Sequence, residues 1–166
     1  MKFRAMTRMD TDSKRTKVVW QRPGFLVRRL HQIHMAIFLK ECAEEQVTPI
    51  HWGMLTIVKS NPGVGQVELA DELGLDRSNV ANVVDRLVRR GILKQSVSKL
   101  DRRKRSISIT PKGLKLLAQL EPKAERAQAR LLEVLGTRER SQFMTLLSRL
   151  VEQNNEFSRA PIRLDE

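Results

Sequence analysis

A run of polar and basic side chains lies along one side of a predicted helix that begins after Asp76. Apolar residues recur at helical spacing on the other side, which predicts a buried stripe: Val80, Val83, Val84, Leu87 and Val88. The polar side must then face outward, and side chains of these types donate and accept hydrogen bonds at base edges and phosphates. The residues predicted to make such contacts are Arg77, Ser78, Asn79, Asn82 and Arg86.

A second basic cluster lies between two short segments of alternating polarity, residues 92–97 and 106–109, which predict a β-hairpin. A hairpin tip is narrow enough to enter the minor groove of DNA, where arginine meets an enhanced negative potential. The alternative is a solvated run of charge in which Asp101 is an internal ion-pair partner that fixes the loop. The DNA contacts predicted from this cluster are Arg102, Arg103, Lys104 and Arg105.

Two short helices joined by a tight turn would position the polar face. Ala70 is small enough for the helices to cross closely, Gly74 can adopt a left-handed conformation, and Val80 can anchor the second helix on the first. Asp76 can cap the second helix. This pattern is typical of a helix-turn-helix, but an ordinary helical hairpin in an unrelated all-α protein has the same features.

Longer helices flank this unit. Apolar residues at helical spacing predict a first helix from Gly24 to about Gln46, and cap-plus-proline pairs at Thr48-Pro49 and Thr110-Pro111 begin two more helices. A winged domain of about 60 residues cannot cover all of the apolar stripes, which predicts a homodimer. The predicted interface residues are Leu26, Leu30, Leu131, Leu147 and Leu150.

The predicted fold is mainly α with a small β-hairpin wing: a winged helix-turn-helix DNA-binding lobe plus a helical dimerisation region. The lobe would carry the DNA contacts, and the outer helices would pair two copies of the chain. The predicted boundaries are a flexible basic arm at 1–17, an N-terminal dimerisation helix at 18–47, the DNA-binding lobe at 48–113, C-terminal dimerisation helices at 114–158 and a tail at 159–166.

The net charge favours a polyanionic partner, because 31 Lys and Arg stand against 19 Asp and Glu and give +12. The chain has no Tyr and two Trp, so a platform that stacks the bases of single strands or RNA is not expected. Charge alone does not choose between nucleic acid and an acidic membrane face; the polar helix face and the basic hairpin favour double-stranded DNA. Apolar runs are too short to span a membrane, and the basic amino terminus lacks the apolar segment of a secretory signal. We expect a cytoplasmic protein with no membrane partner.

Histidine and cysteine give little support to catalysis or metal binding. His31, His34 and His51 lie outside any nucleophile motif, and no Gly-rich phosphate loop is present, so we expect no enzyme and no cofactor. His31 and His34 share a helix face, but Cys42 is more than two turns away, so a metal site is not predicted and metal sensing is a minor alternative. Oxidant sensing by Cys42 is a second minor alternative. We expect Cys42 to be a buried apolar residue instead, because no second cysteine could resolve a sulfenic acid within the chain.

Several motifs resemble those of the MarR family of winged helix-turn-helix regulators, over about residues 25–155. The resemblance implies a dimer held by terminal helices, with Asp101 bracing the wing, Arg103 entering the minor groove, and small ligands binding between the dimer helices and the DNA-binding lobe. The basic arm before Val18 is longer than is usual in the family. The matching motifs are Thr48-Pro49 with Trp52 and Leu55, Glu68-Leu69-Ala70, Val84-Asp85-Arg86-Leu87, Arg90-Gly91-Ile92-Leu93, Asp101-Arg102-Arg103 and SISITPKG at 106–113.

Together these features predict a ligand-responsive transcriptional repressor that binds a pseudo-palindromic operator as a homodimer. Apolar, imidazole and cationic groups could meet an anionic ring compound at Arg28, His31, His34 and Trp52. The family resemblance implies an aromatic acid or its coenzyme A thioester as the effector. The alternatives are an architectural protein that binds DNA without sequence choice, a helical adaptor for acidic proteins, and a metal- or oxidant-sensing regulator of the same fold.

Overall fold

The computed structural model describes residues 18–97, 105–158 and 160–161, and the predicted fold class is confirmed within them. A helical turn at residues 18–20 precedes the main helices. The strands are β1 (Val64–Gly65), β2 (Leu93–Val97) and β3 (Arg105–Ile109), and a 3-10 turn (Asn155–Phe157) follows the last helix. The helices are α1 (Pro23–Glu41), α2 (Pro49–Ser60), α3 (Gln66–Leu73), α4 (Arg77–Arg89), α5 (Pro111–Leu131) and α6 (Thr137–Gln153).

The small sheet has three strands in the order β1-β3-β2, where the sequence pattern predicted a two-stranded hairpin. Both neighbours of β3 are antiparallel to it, and Ile107 lies opposite Val64 on one side and Gln95 on the other. Strand β1 escaped prediction because two residues are too short for polar and apolar side chains to alternate. The sheet joins the hairpin to the segment that leads into α3.

Side-chain caps begin three of the helices where the sequence predicted them. The Thr48 and Thr110 hydroxyls accept from the backbone N–H of the residue three positions on, and an Asp76 carboxylate oxygen accepts from the Asn79 N–H at 2.9 Å. Between α3 and α4, Gly74 adopts the expected left-handed conformation with φ of 61°. The two helices therefore meet as a helix-turn-helix, with Ala70 and Val80 buried between them.

Helix α1 ends at Glu41, which corrects the predicted end near Gln46. Residues 42–46 form turns, and Gln46 adopts a left-handed φ of 54°. The Arg90 guanidinium donates to the carbonyl oxygens of Glu45 at 3.0 Å and Gln46 at 3.4 Å. Tertiary contacts from α4 thus compete with continuation of the helix, and no Gly or Pro signals the stop.

The core lies among α2, α3, α4, α5 and the sheet. Helix α1 packs along α5, where Arg126 and Arg130 both pair with Glu41. Helix α6 stands apart from this core, because among the described residues of the chain none in α6 is buried. Its apolar side is therefore not fully covered within the single chain. The largest fully buried side chains of the core include Phe38, Met54, Leu55, Leu69, Leu87, Ile107 and Leu117.

Candidate nucleic-acid interface

Helix α4 presents its polar face to solvent as the sequence predicts. Asn79, Asn82 and Arg86 are exposed on one side of the helix, together with Arg77 and Ser78 in the first turn. On the other side Val80, Val83, Val84 and Leu87 are buried and Val88 is half-buried. A buried stripe of this kind fixes the rotation of the helix, so the polar side chains point away from the lobe.

The capping carboxylate of Asp76 holds two of these side chains in place. Its Oδ1 accepts from the Ser78 hydroxyl and its Oδ2 from the Asn79 amide, each at 2.6 Å. The Asn82 amide bonds to none of the described residues, and the Arg86 Nε–H donates to the Asn82 carbonyl oxygen at 3.3 Å. Asn82 therefore keeps its full donor and acceptor capacity for a ligand, whereas Asn79 shares its amide with the cap.

The wing hairpin is formed by β2 and β3, which pair from Leu93 opposite Ile109 to Val97 opposite Arg105. Arg105 is exposed at the outer end of β3, and the Ser96 and Ser106 hydroxyls meet across the pair at 3.2 Å. The tip falls outside the described residues. The predicted contacts there, Asp101, Arg102, Arg103 and Lys104, therefore stay predictions.

A compact set of contacts fastens the wing to the end of α4 and the start of α5. The Thr110 hydroxyl donates to the carbonyl oxygens of Gly91 at 2.7 Å and Ile92 at 3.0 Å, and the Lys112 ammonium donates to the Arg90 carbonyl at 2.8 Å. Gly113 is buried in the same place, where α5 approaches Ile92 most closely. Helix α4 and the wing are therefore held as one unit.

Sequence reasoning missed a second feature of α4, the basic cluster formed by Arg86, Arg89 and Arg90 beside His51. The Thr48 N–H donates to His51 Nδ1 at 3.0 Å, which completes a capping box at the start of α2. Such boxes are recognised in a sequence by Glu or Gln at the third position, so Thr-x-x-His carried no signal. Burial lowers the pKa of His51, and the nearby Arg86 and Arg90 lower it further.

The predicted ligand residues differ in exposure and in the residues that they contact. Arg28 is exposed and lies over the Phe25 ring at 5.0 Å, and His31 is exposed on the same helix. His34 is half-buried, its Nε2 lies 3.4 Å from the Gln128 Nε2 of α5, and burial, with a smaller contribution from His31, lowers its pKa. Trp52 of α2 packs against the core. Both α1 and α2 pack against α5.

Trp52 nevertheless has an unusual environment. Its indole Nε1 is buried and has no hydrogen-bond partner among the described residues. A buried N–H without an acceptor is costly, so an acceptor brought by a ligand would stabilise this site.

The predicted interface leucines are unevenly exposed in the single chain. Leu26 and Leu150 are 46% and 59% exposed, whereas Leu30, Leu131 and Leu147 are half-buried. The other apolar side chains that the fold leaves exposed near them are Val18, Val19, Val27 and Ile33 at the amino-terminal end and Met144, Leu146, Val151 and Phe157 at the carboxyl-terminal end.

Cys42 is buried directly after α1. Burial raises the pKa of its thiol, and the Glu45 carboxylate raises it further. The thiol is therefore kept protonated and shielded, which is the opposite of the exposed thiolate that an oxidant sensor uses. Among the described residues no group of His, Cys, Asp and Glu is arranged to hold a metal ion, and none of their helices is both long and apolar enough to cross a membrane.

The fold and the exposed face of α4 define the class of protein, a winged helix-turn-helix regulator. A sequence model of the MarR family matches residues 45–104. A protein of Thauera aromatica, named as a transcriptional regulatory protein for the hcr operon, is 36% identical over 112 residues, which make up 68% of this chain and 68% of that protein. The chain belongs to the MarR family of DNA-binding transcriptional regulators, and the predicted resemblance is confirmed.

Two solved structures are similar in fold and sequence. The transcriptional repressor CouR, bound to a 23-mer DNA duplex, is 30% identical with a TM-score of 0.77, and the alignment covers 85% of this chain and 99% of CouR. BpsR of Bordetella bronchiseptica, whose DNA binding is regulated by 6-hydroxynicotinic acid, is 28% identical with a TM-score of 0.75. That alignment covers 78% of this chain and 93% of BpsR.

Proposed function

We propose that the protein is a ligand-responsive repressor that binds a pseudo-palindromic DNA operator as a homodimer, in the cytoplasm, and releases it when a small molecule binds. The observation that carries this proposal is the exposed polar face of α4 beside a basic wing. Asn82 and Arg86 would read base edges in the major groove. Arg105 and the tip residues Arg102, Arg103 and Lys104 would contact the minor groove and backbone, with Asp101 bracing the tip.

Competition between duplexes tests this proposal. A repressor should select one sequence from a random duplex pool and hold it against a large excess of unrelated DNA, because specific binding exceeds nonspecific binding by about 10³-fold or more. An architectural protein would lose the selected duplex to the excess in proportion to mass. A helical adaptor would bind no duplex at moderate salt.

We predict that Asn82→Ala weakens discrimination between the selected duplex and single-base variants by about 1–3 kcal/mol, the worth of a good bidentate base contact. The effect should be confined to one position in each half-site, because an amide reads one base pair. Titration against duplexes altered at each position measures it. Asn61→Ala, the same chemical change at the far end of α2, is the control. If Asn82→Ala lowered affinity for all duplexes equally, Asn82 would be a backbone contact.

The homodimer is supported by the uncovered apolar side of α6 and by the exposed apolar residues before and within α1. An apolar surface at both ends of a chain that is otherwise rich in charge is typical of a protein interface. Pairing these ends in two protomers would cover both surfaces around a two-fold axis. The same axis would place two copies of α4 in successive major grooves, about 34 Å apart, and so would require a pseudo-palindromic operator.

The effector is proposed to be an anionic aromatic acid or its coenzyme A thioester, bound between α1 and the DNA-binding lobe. Three features support this class. Arg28 offers a guanidinium to a carboxylate, the low pKa of His34 leaves a neutral imidazole that can donate a hydrogen bond, and the buried Trp52 indole lacks an acceptor. BpsR, similar in sequence and fold, responds to an acid of this kind, 6-hydroxynicotinic acid. Such a ligand would favour the conformation in which the two α4 helices do not match the grooves.

We predict that at least one aromatic acid or thioester releases the operator, and that Arg28→Ala raises the concentration needed by about tenfold, as for the loss of one charge-assisted hydrogen bond. Fluorescence anisotropy of a labelled operator measures release. His31→Ala should also raise the concentration, and Arg29→Ala, next to Arg28, is the control. If no compound of either type dissociated DNA or raised the melting temperature, the proposed ligand class would be wrong while the DNA-binding function stood.

A further inference from the structure

A cavity of about 440 Å³ opens where the last turns of α4 face the first turn of α2. None of the residues proposed to bind the effector lines it. Three arginines and one histidine dominate its lining: Arg86, Arg89, Arg90 and His51, with Gln46 completing it. So many donors around one concave surface point to an anionic ligand.

No carboxylate neutralises these arginines in the part of the chain that the structure describes, since none of its ion pairs involves them. The Arg86 and Arg89 Nε–H groups donate to carbonyl oxygens one turn earlier in α4, at 3.3 and 3.4 Å. These bonds hold the stems of both side chains along the helix. Their terminal amino groups make no hydrogen bond to the described residues, so the guanidinium forks can bind an anion from outside.

His51 adds a fixed neutral donor. The Thr48 backbone N–H can only donate, so His51 Nδ1 must accept it and the ring proton lies on Nε2. Burial and the flanking guanidinium groups of Arg86 and Arg90 lower the pKa of the ring and oppose a second proton. The positive end of the α2 dipole lies at the same place, because α2 begins at Pro49.

We propose that this cavity binds one phosphate of the operator backbone, at the edge of the major groove that α4 reads. Arg86 follows Asn82 by one turn on the exposed face, and Arg89 and Arg90 follow Arg86 by one further turn. The cluster thus continues the base-reading face toward the backbone that borders the groove. This inference rests on the proposed function. It adds His51 and Arg89 to the DNA-binding surface, with a phosphodiester as their ligand, while Arg90, whose guanidinium holds the carbonyl oxygens of Glu45 and Gln46, adds positive charge.

Two substitutions at position 51 test the assignment without removing the helix cap. Both Glu and Gln complete a capping box after Thr48, so both variants should keep the fold, with circular dichroism and melting temperature as checks. His51→Glu places a negative charge against the phosphate and should weaken binding to the selected duplex about 10- to 100-fold. His51→Gln retains an N–H donor and should weaken binding much less. Ser60→Glu makes the same change of charge at the other end of α2 and is the control.

Neutral methylphosphonates in the duplex locate the contact. One position in each half-site should weaken binding of the wild-type protein when its phosphate is neutralised. The same replacement should weaken binding of His51→Glu much less, because the introduced carboxylate already offsets part of the attraction between the arginines and that phosphate. If every position weakened both proteins equally, or if His51→Glu bound the duplex as tightly as Ser60→Glu, the phosphate assignment would be overturned while operator binding stood.

A soluble phosphate compound shares the chemistry of the backbone, and inorganic pyrophosphate is the probe that separates the two. Suppose that pyrophosphate raises the melting temperature of the wild-type protein but not that of His51→Glu, and that His51→Glu binds the duplex as the wild type does. The cavity would then bind a soluble phosphate compound, and the backbone site would be overturned. Failure of the wild-type protein to select any duplex would overturn the proposed function itself.

Discussion

Replacing both Leu147 and Leu150 by Asp should abolish dimer formation and weaken binding to the selected duplex by about 100-fold or more. Both residues lie on the apolar side of α6, where the single chain leaves Leu150 exposed and Leu147 half-buried. Two carboxylates in each α6 would be desolvated without partners in the proposed interface, a cost of several kcal/mol for each ion. Separated protomers would then lose the second half-site, which in a dimer is bound at a high effective concentration.

Sedimentation equilibrium measures the association, and titration of the duplex measures the affinity. Gln142→Asp combined with Thr145→Asp is the matched control, since it adds the same charge to the exposed opposite side of α6. The control should stay dimeric and bind normally. A dimer of Leu147→Asp, Leu150→Asp with unchanged affinity would show that α6 contributes nothing to the association.

Gly113→Ala should destabilise the protein by about 3 kcal/mol, at the upper end of the range for an overpacked core. A Cβ at position 113 would lie far inside van der Waals contact with the Ile92 carbonyl oxygen and 2.7 Å from Ile109 Cγ1. The Ile92 oxygen cannot easily move, because the Thr110 N–H donates to it at 3.1 Å and the Thr110 hydroxyl at 3.0 Å. The start of α5 must therefore separate from the wing.

Thermal unfolding should show this as a fall in melting temperature of roughly 6–12 °C for a chain of this size. Gly24→Ala is the control, because a Cβ there meets nothing within 4 Å and alanine favours the helix that contains it. That variant should be unchanged or slightly more stable. Equal melting temperatures for both variants would mean that α5 can shift away from Ile92 without cost.

Local signals in the sequence predicted most of the fold, because each depends on residues close together in the chain. Thr48, Asp76 and Thr110 are capping types next to periodic apolar segments, and Gly74 allows the left-handed turn between α3 and α4. The spacing of the valines predicts which side of α4 is buried, and the buried side in turn predicts which polar residues are exposed. The recognition helix was thus the most predictable part of the candidate site.

The features that were missed depend on contacts between distant segments. Strand β1 exists because Val64 pairs with Ile107, 43 positions later in the numbering, and α1 ends early where Arg90 binds the carbonyl groups of residues 45 and 46. The basic cavity was missed for the same reason, since His51 meets the arginines of α4 only in the folded lobe. Composition showed that the chain is basic but not that three arginines share one concave surface.

The bonds from Arg90 to the loop after α1 have a mechanical consequence. A guanidinium that is hydrogen-bonded to two carbonyl oxygens allows little relative movement of the two segments, because either bond is lost once its atoms separate by a fraction of an ångström. The Arg90 carbonyl oxygen also accepts a hydrogen bond from the Lys112 ammonium. The Lys123 ammonium of α5 donates to the carboxylates of Glu44 and Glu45 in the same loop. The bonds from the Arg90 guanidinium link the loop after α1 directly to the end of α4. We expect a tilt of α1 to displace α4, the helix proposed to bind DNA.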